Sequence, residues 1–173
     1  MLRPDSFARR VSAVSVDELA EKGVRGIILD LDDTLVGYGY DAPAEEEAAW
    51  LVSVRSRGLR AAIVSNGVAA RARAIARRTG LECIARARKP FPGGFRRALA
   101  LLETAPHETV VIGDQLFTDV LGARLLGLRS ILTSPITTRT EMWVRVMRVV
   151  ERLVLRYAHG SRSQQPAAPL ERR

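Results

Sequence analysis

The sequence predicts an α/β fold of three layers, a Rossmann-like central parallel sheet with helices on both faces. Three observations predict it. Short apolar runs alternate with helical patterns, as βαβ units do. The run Gly26-Ile27-Ile28-Leu29 is unbroken, as a central strand covered on both faces is. The runs end in polar residues, where open parallel sheets place their ligand crevice.

In chain order, residues 1–26 are a lead-in, residues 27–158 the domain and residues 159–173 a tail. The tail is rich in Ser, Gln, Pro and Arg and is expected to be disordered. In the lead-in, Ser15 and Glu18 have capping-box spacing, and residues 17–22 predict a short helix stopped by Gly23. The first strand follows and ends in carboxylates. Gly37-Tyr38-Gly39-Tyr40 is a loop; Pro43 with Glu45, Glu46 and Glu47 opens a helix whose acids face its positive end. That helix runs to about Arg57 and stops at Gly58. Residues 59–64 form the second strand, ending in Ser65-Asn66-Gly67. A helix of Ala and Arg spans residues 68–79, with Gly80 its C-cap, and residues 82–85 are a short third strand. Pro90, Pro92, Gly93 and Gly94 keep the basic stretch after it out of a helix, which starts at Phe95 and turns Leu99 and Leu102 inward. Residues 109–112 are the fourth strand, ending in Gly113-Asp114. A helix over residues 118–126 stops at Gly127, and residues 130–132 are the fifth strand. Trp50 and Phe117 are core candidates; His107 and His159 belong to the surface.

Composition narrows the function classes. The chain has 173 residues, 47% hydrophobic and 27% charged, enough for one domain with a core. Its lone cysteine, Cys83, lies in the apolar run Cys83-Ile84-Ala85. It cannot form an internal disulfide and reads as a buried structural thiol in a reducing cytoplasm. No apolar stretch reaches membrane-spanning length, and the first residues, with Asp5, Arg9 and Arg10, lack a secretory apolar segment. The reading is a cytoplasmic protein. A net charge of +8 favours an anionic partner (nucleic acid, a membrane surface or a phosphorylated substrate) unless it is only the solvated surface of an arginine-rich chain.

The polar strand ends carry the chemistry. Asp30 and Asp32 are two apart and project the same way along an extended chain. With Asp33 they need a cation or a bound group to balance them. Ser65, Lys89, and Asp114 with Asp119 follow later runs, so all can meet at one end of the sheet. Each alone is an ordinary turn or loop residue; the ordered set is specific. Asp30-Leu31-Asp32-Asp33-Thr34-Leu35, then Ser65, Lys89 and Gly113-Asp114-Gln115 with Asp119, resemble the haloacid dehalogenase (HAD) superfamily of phosphohydrolases over residues 24–135. Residues 86–90 and 113–120 are similar to its subclass IIIA phosphatases, in the branch that includes the mitochondrial-type phosphatidylglycerophosphate phosphatases. Residues 2–16 and 141–157 resemble that branch too.

The resemblance implies a mechanism. Asp30 attacks phosphorus to give an aspartyl-phosphate, and Asp32 is the general acid and base. Mg²⁺ is held by the Asp30 and Asp114 carboxylates and the Asp32 backbone carbonyl. Ser65, Asn66, Lys89 and Thr34 bind the phosphate, and Asp119 orients Lys89 or a metal-bound water. Position 33 is Asp where that branch more often has Asn, which adds a negative charge near the pocket mouth. Larger members of the superfamily insert a cap domain after the first or second motif. Here residues 37–60 and 67–88 hold little more than one helix each, so no cap is expected and bulky substrates can enter.

Arg145, Arg148, Arg152 and Arg156 form one stripe of a predicted helix over residues 141–157, opposite Trp143, Val146, Met147, Val150, Leu153, Val154 and Tyr157. That apolar face suits packing on the sheet, and the stripe suits peripheral contact with an anionic inner membrane face. The resemblance makes phosphatidylglycerophosphate, and so phospholipid biosynthesis, the favoured substrate assignment. A soluble or nucleic-acid phosphomonoester, or a basic RNA- or ribosome-binding module on the same fold, are the alternatives. Against nucleic acid stand a 5% aromatic content and no stacking motif.

Overall fold

The computed structural model describes residues 2–137. In chain order its elements are β1 (Ser6–Ala8), a 3₁₀ turn (Val11–Ala13), α1 (Val16–Glu21), β2 (Gly26–Leu29), α2 (Glu45–Ser56), β3 (Arg60–Val64), α3 (Ala69–Thr79) and β4 (Glu82–Ile84). Then come α4 (Pro92–Leu102), a 3₁₀ turn (Pro106–Glu108), β5 (Thr109–Gly113), a π-helical turn (Leu116–Val120), α5 (Leu121–Arg124) and β6 (Arg129–Thr133). The strands form one six-stranded sheet in the order β1-β6-β5-β2-β3-β4, every neighbour parallel.

All four residues of β2 are buried, and their alternation divides the core. Ile27 and Leu29 point to one face and pack with Leu19, Trp50, Leu51, Val54 and Ile75 from α1, α2 and α3. Ile28 points to the other and packs with Phe95, Ala98 and Leu102 of α4 and Ala123 of α5. The three layers are therefore as predicted, and among the described residues no cap domain interrupts them. No helix among those residues is long and apolar enough to cross a membrane.

Four expectations need correction. The lead-in supplies a sheet strand: β1 lies along β6, and Asp5 locks it there through Ser130 N–H (2.8 Å) and Ser130 Oγ (3.1 Å). Two of the three residues of β1 are exposed, so it carries no apolar run to read. Helix α4 begins at Pro92, not Phe95, because in a first helical turn the N–H that proline lacks has no intrahelical partner anyway. Gly94 is needed there, since a Cβ would stand 2.8 Å from the Ala87 Cβ. Phe117 is 39% exposed, because the π-turn directs Thr118 and Asp119 inward in its place. Cys83 is half-buried, with burial the main cause of its raised thiol pKa. Leu99 and Leu102 face inward as expected, Leu102 buried and Leu99 half-buried against the Phe95 cluster. Trp50 is buried, as expected, and its indole donates to the Val14 carbonyl at 2.7 Å. The predicted helix over residues 141–157, its arginine stripe, His159 and the tail lie outside the described residues.

Candidate active site

After β2 the chain builds outward through β3 and β4, then returns across the sheet to place β5 and β6 on the other side of β2. The crevice between the ends of β2 and β5 is thus the switch point where open α/β sheets bind ligands. Leu29 stands opposite Ile112, and the Asp30 N–H continues the ladder to the Ile112 carbonyl at 2.9 Å. Asp30 and Asp114 therefore emerge side by side, one from each strand.

Asp119 reaches the same place from the π-turn. It lies over Gly113, where a Cβ would fall 2.3 Å from the Asp119 Cγ; only glycine leaves that space. Its Oδ2 accepts from the Gln115 N–H at 3.2 Å. Lys89 arrives on a loop in which Arg86 and Arg88 adopt left-handed backbone angles, φ 50° and 59°. Such angles cost energy for residues with a Cβ and persist where the surroundings enforce them. Asn66 does the enforcing: its Oδ1 accepts from the Lys89 N–H at 2.7 Å, and its Nδ2 donates to the Lys89 carbonyl at 3.0 Å. The Ala87 N–H also donates to the Ser65 carbonyl at 3.0 Å.

The Lys89 ammonium bridges Asp30 Oδ1 and Asp119 Oδ1, each at 2.6 Å, with all three residues buried. Burial opposes the charge on Lys89, but Asp119 and Asp30 outweigh it and hold its pKa above the ordinary lysine value. Asp30, Asp114 and Asp119 can each bring a carboxylate oxygen within 4.8 Å of the other two. Burial pushes Asp114 up to about 9, with the charges of Asp30 and Asp119 adding to it. Burial also lifts Asp119, to about 6, against the pull of Lys89. One lysine does not balance three carboxylates. Asp114 Oδ1 accepts from Thr34 Oγ1 at 3.3 Å, while its buried Oδ2 has no hydrogen-bond partner. A buried orphan oxygen within a cluster of carboxylates fits a hard divalent cation, which takes oxygen ligands.

The other expected residues are close by, each with a partner of its own. Thr34, expected in a phosphate cradle, is buried and donates to Asp114. Asn66, expected on the phosphate, has both ends of its amide engaged with the Lys89 backbone. Ser65 is buried, and its hydroxyl accepts from the Gly67 N–H at 2.9 Å. Asp32 is half-buried and its carboxylate pairs with Arg71. A Cβ on Gly67 would come within 2.8 Å of Asp32 Oδ2 and 3.1 Å of Ser65 Oγ, so this turn glycine keeps the pocket open. Asp33, expected to charge the pocket mouth, is 3% exposed. It takes φ 63°, a conformation Asp tolerates, and its Oδ1 accepts from Tyr38 N–H (3.1 Å), Thr137 N–H (3.2 Å) and Thr137 Oγ1. These bonds shape the loop.

Comparison with known proteins agrees with this geometry. Residues 86–150 match the HAD-hydrolase-like family. The chain is 36% identical over 152 residues to a Bacillus subtilis protein named "Probable phosphatase YqeG", covering 88% of each chain. It is 37% identical over 95 residues to a phosphoserine phosphatase of Thermus thermophilus, covering 50% of this chain and 38% of that protein. Among solved structures, an uncharacterized Listeria monocytogenes protein shares the fold with a TM-score of 0.54 and 18% identity, over 68% of this chain and 84% of the other. One from Corynebacterium glutamicum does so with a TM-score of 0.51 and 19% identity, over 73% and 94%.

Proposed function

Because the chain belongs to the HAD superfamily, as a HAD-type phosphatase, we propose that Asp30 is its nucleophile and Asp32 its general acid and base. The observation that supports this reading best is the Lys89 bridge between Asp30 and Asp119, beside the unpaired Asp114 oxygen. Asp30 attacks phosphorus in line, an acyl-phosphate bond forms, and the ester oxygen leaves with a proton from Asp32. Asp32 then takes a proton from the water that cleaves the acyl-phosphate and restores Asp30. Lys89 stays beside the nucleophile and offsets the charge of the phosphoryl oxygens, with Ser65 donating to one of them. Asp119 fixes Lys89, Asn66 fixes its backbone, and Thr34 fixes Asp114. The Asp30 and Asp114 carboxylates and the Asp32 carbonyl are the ligands we assign to Mg²⁺. When bound, this ion supplies the positive charge that the three carboxylates and a phosphate dianion lack.

For the substrate we propose a phosphomonoester headgroup on an amphiphile, with phosphatidylglycerophosphate the favoured case. Among the described residues no cap covers the pocket, and its loops carry exposed apolar side chains: Tyr38 and Tyr40 after β2, Val68 after β3, Phe91 after β4 and Phe117 after β5. Arg86 and Arg88 are exposed on the loop between β4 and Phe91. An apolar rim with cations beside it suits an anionic amphiphile better than a small, fully polar ester.

Phosphate release with Mg²⁺ tests both levels. The expected result is turnover of phosphatidylglycerophosphate in mixed micelles well above that of 4-nitrophenyl phosphate, and loss of both in Asp30→Asn. Activity on the aryl ester alone rejects the lipid. Full activity in Asp30→Asn rejects the assigned nucleophile.

A further inference from the structure

Arg71 lies in the first turn of α3, just past the Ser65-Asn66-Gly67 turn, in a stretch of Ala and Arg that reads as a solvated helix face. The structure gives its guanidinium two partners. One terminal nitrogen meets Asp32 Oδ1; the other donates to the Tyr40 carbonyl at 2.7 Å. Two turns further along the helix, Arg78 donates to the Asp41 carbonyl at 3.0 Å. One helix therefore holds two consecutive carbonyls of the loop over residues 37–44, and through Arg71 it also holds Asp32.

We propose that Arg71 is a positioning residue for the acid–base carboxylate, an inference that rests on the assignment of Asp32 as general acid. The planar guanidinium fork binds two acceptors in fixed directions, so it sets the carboxylate relative to the pocket wall as a lysine would not. Gly67 confines Asp32 from its other oxygen, where no Cβ would fit. A general acid must sit within hydrogen-bond reach of the leaving oxygen, and a displacement of about 1 Å can cost about a hundredfold in rate. Among the described residues no second domain covers this carboxylate, and the helix after the second motif holds it. The side chains of Arg71 and Asp32 are 25% and 20% exposed, so the pair is largely shielded from water; the guanidinium fixes the carboxylate and favours the ionised form in which Asp32 takes the proton from water.

Leaving-group dependence separates positioning from a merely structural role. A poor leaving group needs a well-placed acid; 4-nitrophenolate does not. Arg71→Ala is expected to lower kcat/KM on phenyl and alkyl phosphates at least about tenfold more than on 4-nitrophenyl phosphate, with Arg71→Lys recovering part of the difference. Arg78→Ala, which loosens the same loop without touching Asp32, is expected to affect all substrates alike. Each comparison is a ratio within one variant, so partial unfolding cannot mimic it. Equal losses on all esters in Arg71→Ala, or the same discrimination in Arg78→Ala, overturn the proposal. Absence of discrimination in Asp32→Asn would remove the general-acid assignment beneath it, a separate failure.

Discussion

Lys89 shows how one residue holds an unfavourable cluster together. Its ammonium satisfies two buried carboxylates at once, and removing one partner of a buried ion pair costs far more than the pair contributes net. Lys89→Ala is expected to lose about 3 kcal/mol of stability in urea unfolding, with phosphatase activity down at least about a hundredfold. Thr34→Val, which strips a hydrogen bond from Asp114, is expected to weaken Mg²⁺ binding about tenfold by calorimetric titration while the fold persists. The acids and Lys89 were legible in the sequence because each closes an apolar run or a strand-end loop. Arg71 was not, because nothing local separates it from its neighbours Arg73, Arg77 and Arg78. Thr34 and Asn66 were legible as site residues, but their hydrogen bonds to Asp114 and to the Lys89 backbone were not, since a motif gives proximity without saying which atom accepts from which.

The elements behave in the same way. Strands buried on both faces announced themselves by unbroken apolar runs, and helices α2 and α3 by acids at one start and glycine at both ends. Strand β1 did not, because two of its residues face solvent and its place depends on β6, far along the chain. The π-turn did not either; its extra residue turns Asp119 over Gly113, a consequence of packing and not of propensity. Helix α5 makes a comparably tight approach at Gly122, where a Cβ would stand 2.2 Å from the Phe95 ring. Gly122→Ala is expected to destabilise the protein by about 1–3 kcal/mol, read from its urea midpoint, while the Mg²⁺ dependence of the remaining activity stays unchanged.

Across the whole molecule the site sets the pH response. In the metal-free protein Asp114 and Asp119 keep protons to about 9 and about 6, whereas the unfolded chain releases them near 3.8. The native state therefore binds more protons over that window, and stability falls as pH rises from about 4 to about 9. The Lys89 shift acts only above its ordinary value of 10.5 and leaves that window untouched. Urea midpoints without metal are expected to be lower at pH 8.5 than at pH 5.5. Mg²⁺ should narrow the gap, and Asp114→Asn should reduce it. The strand order also governs when the acids first meet. As the chain is synthesised, β2, β3 and β4 emerge early and can pair among themselves, but Asp30 has neither Asp114 nor Asp119 beside it until β5 docks against β2. Until then the chain is free of that repulsion, and β1, the first of the described strands, pairs only once β6, the last of them, is made.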